Sequence, residues 1–233
     1  MRFDGKWYKN PEIYRITAGI IAAFAAVNYA YMLIYGLSNS IKEYIGLGDY
    51  FKYFAPFYYL DIICYFGYFI IFAALVLLTI YIFFFCGRKK NKFFGASILL
   101  LAVGKILGII SNCISIVFFE SHAWFPIEGD IGEILSGPIA GVVISAVATV
   151  ILILIAVNYF KKETKMGVSI KILALASIAL HPVSCVFSRF LRYSNYRLDE
   201  LLYLVAIALI VVFCPTDYKT SGNNSDTQNF TTE

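Results

Sequence analysis

Six stretches of the chain are almost continuously apolar, and short polar or basic connectors separate them. They run over residues 16–37, 57–86, 93–119, 135–160, 168–187 and 199–214. A helix needs about 20 apolar residues to cross the hydrocarbon core of a bilayer. The first five stretches meet that length. The sixth is apolar only from Leu201, and from there to Cys214 it covers about 21 Å against a core of about 30 Å. It spans only if its helix starts near Asp199 or the bilayer thins locally, and Pro215 ends it. The pattern predicts an all-α, polytopic transmembrane bundle of about six spans, forming one domain over residues 1–215. The polar tail over residues 216–233 is expected to be disordered.

Composition turns this pattern into a requirement for lipid. Of 233 residues, 60% are hydrophobic and only 15% are charged, where a soluble domain carries about 25% charged residues. A globule of this size cannot hide so much apolar surface, so the bilayer is the expected partner. The net charge of +4 does not point to nucleic acid, because the basic residues cluster between apolar runs as orientation signals do. With the N-terminus in the cytoplasm, twelve Lys and Arg fall in inner segments and five in outer ones, while Lys105 and Lys171 lie within spans. That excess predicts a multi-pass protein of the cell membrane with both termini inside. The first run follows Arg2, Lys6, Lys9 and Arg15 but is too long for a signal peptide and lacks a cleavage site, so it reads as an uncleaved anchor. The five cysteines sit in or at the ends of apolar runs. They suggest neither a disulfide framework nor a metal site, and no cofactor is expected.

The polar residues inside the spans carry the chemical information. On the third span Ser97, Gly104, Gly108, Ser111 and Ser115 share one face at 100° per residue, with Lys105 and Asn112 at its flank. Val103, Ile106, Ile109 and Ile110 occupy the opposite face. Gly104 and Gly108 form a GxxxG, Gly137 and Gly141 repeat the spacing on the fourth span, and Ala18, Ala22 and Ala26 form a stripe on the first. These small residues are expected to pack helices. Lys105 lies about 18 Å from Phe93, too deep to snorkel to the inner surface. A lysine there costs about 2.5–3.5 kcal/mol on insertion scales, so it must be paired, neutral or wet. His181, beside Pro182, and Asn28 are similarly deep, and Asp61 lies about a turn inside the outer edge. We expect Lys105, His181, Asp61, Asn112 and Asn28 to line a polar pocket open to the outside. Lys171 is close enough to the inner edge to snorkel.

A shift of 72 residues aligns Gly95, Ser97, Ile98, Leu101, Ala102, Ile106 and Cys113 with Gly167, Ser169, Ile170, Leu173, Ala174, Ile178 and Cys185. This suggests that spans two and three recur as spans four and five, and parallel repeats occur in transporters. The segment Gly46-Leu47-Gly48-Asp49 resembles the GxGD motif of intramembrane aspartyl proteases such as presenilin. That resemblance implies a second aspartate on a neighbouring span, with the pair sharing a proton to activate water. Here Asp49 falls in a predicted outer loop, and Asp61, the only intramembrane acid, lacks the family's preceding tyrosine. No zinc-protease helix, nucleophile elbow or P-loop is present, and no catalytic residue is expected. The alanine stripe of the first span is similar to the AxxxA contact surface of substrate-binding subunits of some vitamin importers. That likeness implies a separate ATPase subunit as partner. Two function classes follow: transport or binding of a small solute or ion through the polar pocket, and a non-catalytic accessory, immunity or assembly role on another membrane protein.

Overall fold

The computed structural model describes residues 10–48, 51–86, 91–121, 131–160, 167–190 and 198–214. Six helices account for nearly all of them: α1 (Pro11–Leu47), α2 (Phe51–Ile80), α3 (Asn91–Ser121), α4 (Ile131–Phe160), α5 (Gly167–Phe190) and α6 (Leu198–Phe213). The last turn of α2 widens into a π-helical turn, Tyr81–Phe85. The orientation-setting residues Arg88 to Lys90 and Lys161 to Lys165, the loop histidine His122, and the tail lie outside the described residues.

α1 is longer than its hydropathy suggests. Asn10 accepts a hydrogen bond from the Glu12 amide at 3.0 Å, and Pro11 occupies the first helical position. Both are standard devices for starting a helix. The helix then runs past the expected end at Leu37, absorbs most of the predicted outer loop, and stops where Gly48 adopts φ 49°. That left-handed conformation favours glycine. The second glycine of the GxGD-like segment therefore has a local structural role, and Asp49 lies outside the described residues.

Among the described residues, four helices are long and apolar enough to cross a membrane: Pro11–Gly46, Tyr59–Phe85, Lys92–Ile114 and Gly141–Phe160. Gly167–Val183 and Glu200–Phe213 are shorter apolar helices. At 16 residues, α6 is about 24 Å long, as short as the sequence implied. Each long helix keeps an apolar stripe outward, such as Ile20, Phe24, Val27, Tyr31 and Ile34 on α1.

Each helix packs mainly on its neighbours in sequence, and α6 closes the ring against α1. Ala18, Ala22 and Ala26, with Ala25 and Tyr29, form the buried face of α1. α2 and α3 cross closely: a Cβ on Gly104 would lie 2.6 Å from Ile71 Cγ1 and 2.9 Å from the Gly67 carbonyl oxygen. Gly108 and Gly141 meet nothing within 4 Å, so of the expected small-residue contacts Gly104 carries the tight one. Gly137 lies in α4, with its surroundings outside the described side chains. At the end of the bundle bearing Tyr14, Phe93 and Phe213, termed the inner end, aromatic contacts close the core. Tyr14 stacks on Phe213 at 4.3 Å, and Phe94 packs between Tyr81 at 5.1 Å and Tyr159 at 4.7 Å.

Candidate functional site

Lys105 is buried on the inward stripe of α3 with Phe94, Ile98 and Leu101. Its Nζ donates to Glu200 Oε2 at 3.0 Å. Glu200 sits in the first turn of α6, 7% exposed, on one stripe with Tyr203, Leu204, Ile207 and Val211. In the ring α3 and α6 are not among the extensively packed pairs, so the ion pair reaches across the interior. The depths agree: Lys105 is about 18 Å from Phe93 and Glu200 about 20 Å from Phe213. Glu200 also lies in the first turn of α6, at the positive end of the helix dipole.

A cluster of tyrosines lies one turn along α6 from Glu200, starting at Tyr203. Tyr29 of α1 and Tyr203 of α6 are fully buried, with ring centroids 6.3 Å apart. Tyr68 of α2 meets Tyr29 edge-on at 6.0 Å, and Tyr65 lies 6.4 Å from Tyr68. Tyr65 Oη and Ser40 Oγ are hydrogen-bonded at 2.9 Å, joining α1 to α2.

The register of α2 against α3 locates Asp61 and Asn112. The helices touch at two levels: Ser111 Oγ donates to the Leu60 carbonyl at 2.9 Å, and Gly67 faces Gly104. Seen from one end, two antiparallel helices turn 100° per residue in opposite senses. The residues following the four contact positions, Asp61 and Tyr68 on α2 and Lys105 and Asn112 on α3, therefore turn to the same side of the pair. Lys105 reaches α6 and Tyr68 reaches Tyr29, so this side faces into the bundle. Asp61 and Asn112 occupy it about 10 Å outward of Tyr68 and Lys105. Both are exposed, while Lys105 is buried. Asp61 also lies near enough to Glu43 on α1 for their charges to interact.

The other two expected pocket residues are placed less decisively. His181 is half-buried, on the α5 stripe of Ile170, Ala174 and Ser177. It is about 21 Å from Gly167, a depth like that of Lys105, and α5 remains helical through Pro182. Asn28 is half-buried and donates to Met32 Sδ at 3.9 Å, one turn along its own helix. The structure therefore joins Lys105 to Glu200 and aligns Asp61 and Asn112 above them. It gives Asn28 a partner within α1.

Glu200 escaped the sequence reading because it was placed at the ragged edge of the weakest span. A signal was present. Glu200, Tyr203, Leu204, Ile207 and Val211 follow the spacing of one helix face, which puts an acid on a core stripe. No family model, curated protein or solved structure matches the chain, so the site's own chemistry carries the functional reading.

Proposed function

We propose that the protein binds and passes a small solute or ion across the cell membrane, with the Lys105–Glu200 pair as its gate. The supporting observation is an ion pair buried at mid-depth, with Asp61 and Asn112 exposed about 10 Å outward of it, where we place the mouth of the route. Ionisable groups at that depth are costly and by default mark solute or ion pathways. Inward of the pair the core is closed by Leu75, Leu78, Phe94, Ile98 and Leu101, all fully buried. In this arrangement a solute passes Asp61 and Asn112 and meets the pair. The route inward opens when the solute's own charge or dipole replaces one partner of the pair. All six helices then cross the membrane, α5 and α6 using the thinned or polar regions beside the site, with the N-terminus cytoplasmic.

The test is flux in reconstituted vesicles carrying internal indicators for protons, sodium, potassium and chloride. Flux of one of these above protein-free vesicles, lost in Lys105→Ala and Glu200→Gln, is expected. Flux indifferent to both substitutions, or no flux of any of the four, would remove the gate reading for these ions.

A second reading, an accessory subunit docked on another membrane protein, draws on α4. Gly141 faces open space in the monomer, where a partner helix could approach closely. An ATPase subunit, if the transport is ATP-driven, is a separate chain. Co-purification of a stoichiometric membrane partner, lost in Gly141→Leu while ion flux is absent, would favour this reading.

A further inference from the structure

The two partners of the buried ion pair are not equally placed for exchange. Lys105 stands in the middle of α3, and the same helix continues outward beyond it to Ser121. Its side chain is 3% exposed. Glu200 is the third residue of α6, close to the helix start at Leu198, and its side chain is 9% exposed. From the end of the bundle where α6 begins, the carboxylate is the nearer partner.

The surroundings differ in the same sense. Tyr203 follows Glu200 by three residues on one face of α6. Tyr29 lies 6.3 Å from Tyr203, and Tyr68 lies 6.0 Å from Tyr29. A cation taken out of water beside such rings is attracted to their negative faces, and an anion is not. Lys105 has Leu101, Ala102, Gly108 and Ile109 one turn away on α3. None of these carries a side-chain donor that could help hold an anion. Exchange at Glu200 by an incoming cation is therefore favoured over exchange at Lys105 by an anion.

The present occupant defines the chemistry of that cation. Lys105 holds Glu200 through an N–H of a primary ammonium, at 3.0 Å. A solute reproduces this charge-assisted bond only if it also carries N–H groups on a positive centre. A quaternary ammonium has the charge without the donor.

We propose that the solute is a small primary alkylammonium, which exchanges with Lys105 on Glu200 and rests against the tyrosines of α6 and α1. The proposal names the solute of the transport reading and rests on it. Lys105 is then the resting occupant of the site and competes with the solute. On leaving Glu200, it has Asp61 as the next carboxylate, on the same side of the α2–α3 pair and about 10 Å outward.

The experiment reads equilibrium dialysis of radiolabelled methylammonium against the full-length protein in micelles, together with flux of the same ion into vesicles. Wild type should bind methylammonium. Lys105→Ala should bind it about tenfold more tightly or better, because a site filled by its own lysine shows only the affinity of its free fraction. Flux should nevertheless be lost in Lys105→Ala, since the exchange that moves the solute on is gone. A merely structural lysine would not separate binding from flux. Glu200→Gln should not bind, and neither should the double variant Lys105→Met with Glu200→Gln, which leaves no buried charge of the pair unmatched. Tetramethylammonium should compete at least about tenfold more weakly than unlabelled methylammonium. Circular dichroism and gel filtration confirm that each variant is folded.

Equal competition by tetramethylammonium would overturn the proposal. So would methylammonium binding that is absent, or unchanged in Lys105→Ala, and so would binding of acetate in its place. In any of these cases, flux of another ion that depends on the pair would leave the gate standing with a different solute. Methylammonium bound in the expected pattern but never carried would support the site and remove the transport reading.

Discussion

Replacing Glu200 by Gln removes one charge and almost no volume, which isolates the electrostatic contribution of the ion pair. The Lys105 Nζ to Glu200 Oε2 distance is 3.0 Å. At an effective dielectric of about 20, two unit charges at that separation attract by about 5.5 kcal/mol. The attraction offsets the cost of keeping both groups out of water, so the pair as a whole stabilises little. The single substitution is different, because it leaves the buried Lys105 without its counter-charge. Breaking a buried pair from one side costs about 3–5 kcal/mol. Glu200→Gln is expected to destabilise the folded protein within that range, read as denaturant unfolding of purified protein in micelles. The double variant Lys105→Met with Glu200→Gln removes both charges and should recover most of the loss. A Glu200→Gln protein within about 0.5 kcal/mol of wild type would refute the reasoning, since that is the ordinary effect of a surface substitution. A double variant no better than the single would refute it as well.

Further outcomes test the packing and the outward opening. Gly104→Ala should cost about 1–3 kcal/mol, because its new Cβ meets the backbone and side chain of the partner helix. Gly141→Ala, with open space around it, should stay within about 1 kcal/mol of wild type and lean stabilising; unfolding of both variants under one condition checks the contrast. Ser111→Ala removes the interhelical bond to Leu60 and should cost about 0.6–1.7 kcal/mol by the same measurement. Cysteines introduced as Asp61→Cys and Asn112→Cys in a background lacking native cysteines should react with an impermeant maleimide added outside intact cells. Ile106→Cys on the lipid-facing stripe should not, and equal labelling of all three would remove the outward mouth.

Most of the architecture is written in the sequence because lipid imposes it locally. A chain with this many apolar runs must satisfy its backbone hydrogen bonds within each crossing, which leaves helices. Hydropathy therefore located the six helices to within a few residues over their apolar lengths. It missed the ends of α1, where a cap and a left-handed glycine decide the boundary rather than hydrophobicity. It also indicated that Lys105, at that depth, must be paired, neutral or wet. Which residue answers it was beyond the sequence. Asp61 was the only acid well inside an apolar run, but helix rotation and register place it outward of Lys105. Glu200, at the edge of a span that hydropathy barely resolves, is brought opposite by closure of α6 onto α1. Helix faces follow from residue spacing along one segment. Partners across the bundle depend on how separate helices turn and slide against one another, and only the tertiary packing fixes that.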